Sequence, residues 1–137
     1  LCIVHAEYFQ NDAVIECFTK ENFVVNEINT KDCQFYACDW KTLQHKLADQ
    51  KFDVILTSET IYNEKNYESL HDVIDALLIP DGLVLLAAKL YYFGVGGNIP
   101  SFLEYLKTRG TFDSYECWSS DSDVPRKIVQ LTRTFRS

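Results

Sequence analysis

The sequence predicts an open α/β sheet, mostly parallel, with helices on both faces and an antiparallel hairpin at its end. Three observations carry that prediction. Strand-like and helix-like patterns alternate along the chain in the order β-α-β-α-β-α-β-α-β-β. Two strands, FDVILTS (52–58) and the run from Leu83 to Leu90, are almost wholly apolar, as expected of strands covered on both faces. The last two strands are separated only by the polar turn SSDSDVPR, which suits an antiparallel pair. In folds of this kind ligands bind outside the carboxyl ends of the strands, beside a switch in strand order.

The elements follow in sequence. Cys2 to Tyr8 reads as a strand. Asn11 and Asp12 can cap a helix whose apolar positions are Ala13, Val14, Cys17, Phe18 and Val25. Gln34 to Cys38 is a short strand and Lys41 to Ala48 a short helix. After FDVILTS, Asn63 can cap a helix with the stripe Leu70, Val73, Ile74, Leu77 and Leu78. Pro80-Asp81-Gly82 predicts a turn before the next apolar strand. Pro100 suits the first turn of another helix, and Gly110 its end. Phe112 to Trp118 and Lys127 to Phe135 form the final pair of strands.

Composition narrows the function. The chain has 137 residues, the size of one domain, and can bury roughly two thirds of its unfolded surface. A hydrophobic share of 47% excludes a disordered chain. A net charge of −7 argues against general binding to nucleic acid, although Arg126, Lys127, Arg133 and Arg136 cluster near the end. The five cysteines are odd in number and match no zinc spacing, so they read as reduced core thiols of a cytosolic or nuclear protein. No apolar run approaches the ~20 residues of a membrane span. The chain opens inside a strand, contains no Met, and reads as a piece of something longer.

The segment KLYYFGVGGNIP (89–100) raises a separate question, because three glycines between a strand and a helix outline a phosphate-cradling loop. Two facts exclude that role. A phosphate loop follows the first strand of its βαβ unit, whereas this run comes late, and the Lys-Ser/Thr of a P-loop is missing. The glycines instead allow a sharp turn and close approach of another backbone segment. Tyr91, Tyr92 and Phe93 could wall an aromatic ligand, or serve as core aromatics of a tight turn.

DVILTSETIYN (53–63), followed about thirty residues later by K-x-x-Y-F-G-V-G-G (89–97), resembles the eukaryotic protein-histidine methyltransferase family, and ACDW (37–40) fits the same family. The resemblance covers nearly the whole chain. It implies a Rossmann-like, seven-stranded methyltransferase sheet in the order 3-2-1-4-5-7-6, with S-adenosylmethionine as cofactor. The substrate it implies is a histidine of a large-subunit ribosomal protein, in the cytoplasm or nucleus, with the nucleolus included. The family's first strand and glycine-rich loop have no counterpart here, so residues 1–137 are expected to be a partial methyltransferase domain. Glu7, followed by Tyr8, matches the acidic residue that takes the ribose hydroxyls, with a two-residue insertion around Phe9-Gln10. Asp39 and Trp40 match the adenine contacts; a helix cap and a core aromatic are the alternatives. Ser58 closes the cofactor set. Glu59 and Tyr62 are the catalytic candidates, and Tyr92, Phe93, Gly94, Gly96 and Gly97 the substrate-binding ones.

The chemistry expected of them follows from charge. A neutral imidazole nitrogen already carries a lone pair, so the enzyme needs no strong base to create the nucleophile. The ring becomes cationic as the methyl arrives, and a carboxylate at Glu59 would stabilise that charge. Glu59 could equally hold backbone amides of its own loop. A lysine-directed enzyme of the same fold and a non-catalytic, protein-binding remnant are the alternative functions.

Overall fold

The structure, a computed structural model, describes the backbone of residues 2–6 and residues 12–135 in full. The chain forms two compact units, residues 1–46 and 47–137.

In the first unit β1 (Cys2–Ala6) and β2 (Cys33–Ala37) pair in parallel, Cys2 opposite Cys33. Between them run α1 (Asp12–Val14), a π-helical turn (Ile15–Thr19) and α2 (Lys20–Val25). The apolar stripe expected here does not become core. Phe18 and Val25 are 65% and 78% exposed, whereas Ile15 is 3% exposed. Ala13 and Val14, before the π turn, are exposed as well, so the buried position of this segment, Ile15, lies outside the expected stripe. α3 (Trp40–Lys46) follows β2.

The second unit holds β3 (Phe52–Ser58), α4 (Tyr67–Leu77), β4 (Leu78–Lys89), α5 (Ile99–Arg109), β5 (Phe112–Ser119) and β6 (Arg126–Arg133). Its strands lie in the order β3-β4-β6-β5, with β3 and β4 parallel and the rest antiparallel. The two sheets therefore reproduce the 3-2 and 4-5-7-6 portions of the expected order. Among the described residues β1 and β3 are each paired along one edge only.

Local chemistry fixes the two helices of this unit. The Asn63 side chain accepts from the Lys65 amide at 3.1 Å and opens a short 3-10 turn that leads into α4. Tyr67, Leu70, His71, Val73, Ile74 and Leu77 then form its buried face. Asn98 accepts from the Ser101 amide at 2.8 Å and caps α5, with Pro100 in the first turn. Gly110, at φ 65°, ends it in the left-handed conformation. Arg133 ties the end of α4 to β6. Its guanidinium donates to the carbonyls of Asp75 and Leu78 at 2.8 and 2.9 Å, where helix carbonyls lack partners and favour a cation.

The sheet of this unit is covered on one face only. Val84, Leu86 and Ala88 of β4, with Val129 and Leu131 of β6, are at most 1% exposed. Burying each of these larger side chains contributes about 1.5–3 kcal/mol. Ile55 and Thr57 of β3 lie opposite Val84 and Leu86 and share that face. Val54 and Leu56 point the other way and are 52% and 72% exposed. The expectation of two covered faces for FDVILTS is thus corrected. A continuous apolar run places large side chains on both faces, but α4 and α5 supply cover for one. The predicted Pro80-Asp81-Gly82 turn is also corrected: it lies inside β4 as a bulge, where residues 79–82 oppose the single Asp53.

Candidate active site

The carboxyl ends of β3 and β4, the start of β6 and the end of β5 meet at one edge of the second unit. They enclose an open cavity of about 490 Å³. Ser58 and Glu59 come from the end of β3, Lys89 from the end of β4, Arg126 and Ile128 from β6, and Trp118 from β5. The lining combines Ala87, Ala88, Ile128 and Trp118 with the cationic residues Lys89, Arg126 and Lys127 and the acidic Glu59.

Glu59 occupies an unusual backbone position. It has φ 57°, in the left-handed region that non-glycine residues rarely enter. Its amide donates to the Ala87 carbonyl at 2.9 Å, extending the β3–β4 ladder by one bond beyond Ser58. Such strain costs of order 1–3 kcal/mol and persists only where surrounding contacts over-determine it. Those contacts are present. Thr57 and Thr60 share a hydroxyl hydrogen bond of 2.8 Å across the bend. Ile61 is fully buried. The Tyr62 carbonyl accepts from the Gly97 amide at 3.0 Å.

Gly97 explains one part of the glycine run. A Cβ built there would lie 2.2 Å from the Ile61 carbonyl oxygen and 2.4 Å from the Tyr62 carbonyl carbon. Only glycine lets the two loops touch backbone to backbone. Gly94 serves differently: it turns the chain at φ 79°, with open space around it. Gly96 also faces open space apart from the Glu64 carboxyl carbon at 3.9 Å. Tyr91 and Asn98 close the loop with a bridge.

The aromatic residues of this loop separate. The Tyr92 ring meets Tyr62 edge-on at 6.2 Å, and its hydroxyl accepts from the Lys89 amide at 3.2 Å. Burial and the neighbouring Glu59 carboxylate push the Tyr92 phenol well above its ordinary range, so it keeps its proton. Phe93, next in sequence, is 97% exposed and forms no wall of the cavity.

The structure brings together Ser58 and Glu59 at the cavity, with Tyr62, Tyr92 and Gly97 bracing the loop behind them. Gly94 and Gly96 form the outer tip. Asp39 and Trp40 belong to the first unit, at the start of α3. The two Asp39 carboxylate oxygens accept from the Thr42 amide and hydroxyl at 2.7 and 2.9 Å, capping α3 and holding that carboxyl below its ordinary range. Trp40 is 5% exposed. Glu7 and Tyr8 lie outside the described residues. Sequence reasoning missed Trp118 and Lys89 as cavity residues, and placed Arg126 only in a diffuse basic cluster. That cluster divides: Arg133 staples α4, while Arg126 and Lys127 border the cavity, Lys127 also pairing with Glu116.

Comparison with known proteins agrees with this architecture. Residues 10–93 match a family model described as lysine methyltransferase. A histidine protein methyltransferase 1 homolog from Dictyostelium discoideum is 40% identical over 97 residues, covering 71% of this chain and 31% of that protein. The homolog from Rattus norvegicus is 37% identical over 108 residues, covering 75% of this chain and 30% of that protein. The chain thus spans about a third of the length of these curated relatives. Among solved structures, an rRNA methylase from Streptococcus thermophilus superposes with a TM-score of 0.65 at 15% identity, covering 95% of this chain and 72% of that one. The PH0226 protein from Pyrococcus horikoshii gives 0.63 at 12% identity, with 96% and 71% covered. At such identities the superpositions show the fold alone, a Rossmann-like methyltransferase fold. With that fold, the matched family model and these relatives, the chain belongs to the protein methyltransferase family that includes the histidine protein methyltransferase 1 homologs.

Proposed function

We propose that the protein transfers a methyl group from S-adenosylmethionine to a histidine ring nitrogen of a large-subunit ribosomal protein. The observation that carries this reading is the Glu59 carboxylate at the cavity, on a strained loop braced by the glycine run. The names of the relatives support histidine as the acceptor.

The residues present suit the donor. Ser58 exposes its side chain at the carboxyl end of β3, and Asp39 exposes its carboxylate after β2. The family resemblance implies Ser58 in the second unit, and Glu7, Tyr8, Asp39 and Trp40 in the first, as donor-binding residues. When bound, the donor supplies an electrophilic methyl group on a sulfonium. Glu59 faces the acceptor ring and stabilises the positive charge that grows on it as the new N–C bond forms and the S–C bond breaks. It also accepts the proton of the other ring nitrogen, which returns the ring to neutrality. Tyr62 and Tyr92 hold the loop, and the 91–98 loop borders the incoming protein chain. The acidic net charge suits a basic ribosomal substrate before it meets RNA. The reading places the protein in the cytoplasm and nucleus, with neither nucleic acid nor membrane as a direct partner.

A lysine acceptor is the second reading, favoured by the description of the matched family model. The pH profile separates the two. A histidine acceptor is neutral above about pH 6.5, so turnover levels off there, whereas a lysine amine with a pKa of about 10.4 makes turnover climb far into the alkaline range. The direct test is incubation with ribosomal protein and S-adenosylmethionine, followed by residue-level mass spectrometry. A methyl group on a histidine ring is the expected product; a methyl on lysine, or no transfer, overturns the proposal.

A further inference from the structure

Resting on the reading that Glu59 marks where the acceptor histidine lies, we propose that Trp118 forms a substrate subsite. Its indole is a platform for an uncharged, apolar or aromatic side chain within about four residues of that histidine. The floor of the cavity gives the geometry. Register places Ser58 of β3 opposite Ala87 of β4, Ala87 opposite Ile128 of β6, and Ile128 opposite Trp118 of β5. Directly opposed residues share a face of the sheet, so these side chains form one row across it. All of them line the cavity. Neighbouring strands lie ~4.8 Å apart, so the row is roughly 14 Å long. Glu59 follows Ser58 at one end and the indole stands at the other. An extended chain advances ~3.4 Å per residue, so a peptide laid along the row, its histidine at Glu59, brings a side chain about four positions away over Trp118.

A β-bulge aims the indole at this row. Cys117 is an extra residue between Glu116, opposite Val129, and Trp118, opposite Ile128. Without it Trp118 would fall opposite Lys127, on the face that carries the buried Val129. The Cys117 thiol donates to the Ile128 carbonyl at 3.4 Å, and Lys127 pairs with Glu116, so the bulge is tied to β6. Bulges re-aim side chains and recur beside active sites. Here the bulge leaves Trp118 50% exposed, and among the described residues no other ring packs on it. The surroundings select the occupant. Ala87 and Ile128 continue the platform with apolar surface. In the next pair outward on the same face, Lys89 stands opposite Arg126. Neither has an ion pair among the described residues. An indole alone attracts cations, but two uncompensated positive charges beside it repel a lysine or arginine. An apolar or aromatic side chain meets no such penalty. On a basic substrate this difference sets the register, because it admits the uncharged side chain and keeps basic ones off.

Fluorine NMR reads the contact without turnover. Protein carrying 5-fluorotryptophan gives two signals, from Trp40 and Trp118, assigned through Trp118→Phe. Titration with N-acetylphenylalaninamide should move the Trp118 signal saturably, and N-acetyllysinamide at the same concentration should barely move it. An unmoved Trp118 signal, or equal movement by the two amides, overturns the proposal. Kinetics supply the second arm. With ribosomal protein as substrate, Trp118→Ala should raise KM about 10-fold with kcat nearly unchanged, because the contact is made equally in the ground and transition states. Trp118→Phe, which keeps an aromatic face, should recover most of that loss. An unaltered KM, or a lower kcat at unchanged KM, overturns the subsite while leaving the effect of Glu59→Gln intact. A Glu59→Gln enzyme with full activity removes the acceptor from its end of the row, and the subsite falls with that reading even where the fluorine signal moves.

Discussion

Gly97 and Gly94 stand three residues apart in one loop and are glycine for opposite reasons. At Gly97 the base of the loop is pressed against the Ile61–Tyr62 backbone, with no room for a methyl group. At Gly94 the tip turns through open space, and the restriction is in φ alone. The side chains repeat the contrast. Tyr92 at the base is packed and hydrogen-bonded, while Phe93 at the tip is almost wholly exposed. The difference shows how one short segment can serve two needs. Its base braces the strained Glu59 loop beside the cavity, and its tip stands in solvent.

That contrast can be broken at several points. Gly97→Ala should have the largest effect, because its Cβ meets backbone atoms that cannot rotate away. We expect a loss of at least about 3 kcal/mol, read as a lower urea midpoint or failure to accumulate as folded protein. Gly94→Ala should cost about 1–2 kcal/mol, the strain of a left-handed alanine without any clash, and should leave kcat unchanged. Phe93→Ala should change stability by less than about 0.5 kcal/mol, because the ring loses almost no burial. Its effect should appear instead as a several-fold higher KM for a protein substrate, with normal turnover of a short peptide. Equal stability losses at Gly94 and Gly97 would erase the distinction between tip and base.

Much of this arrangement was legible in the sequence, and particular residues show where legibility ended. FDVILTS begins and ends as read, because its apolar run has clear polar limits at Lys51 and Glu59. Pro100 and Gly110 stand in the first turn and at the end of α5 as read, whereas Asn63 caps the 3-10 turn that leads into α4 and not the helix itself. The glycine run was read as allowing close approach of another backbone segment, and the Gly97–Tyr62 bond shows that segment to be SETIYN. The cover of β3 was not legible, since an apolar run does not say how many helices lie above it. Nor was the π turn at 15–19, which rests on a hydrogen-bond choice that apolar spacing does not encode. The left-handed Glu59 escaped notice because carboxylates rarely adopt that conformation. Trp118 and Arg126 were missed for a topological reason. Antiparallel pairing of β4 with β6 brings Arg126 opposite Lys89, and nothing local in either segment announces it.

The central claim is that the braced Glu59 carboxylate stabilises methyl transfer to a histidine ring. The most direct test is single-turnover transfer to ribosomal protein by the wild-type protein and by Glu59→Gln, with the modified residue identified by mass spectrometry. The account predicts a methyl group on a histidine ring, formed about 100-fold more slowly by the variant, since removal of one preorganised electrostatic partner costs ~2.7–4 kcal/mol of barrier. Equal rates for the two proteins, or a product methylated on lysine, would contradict it.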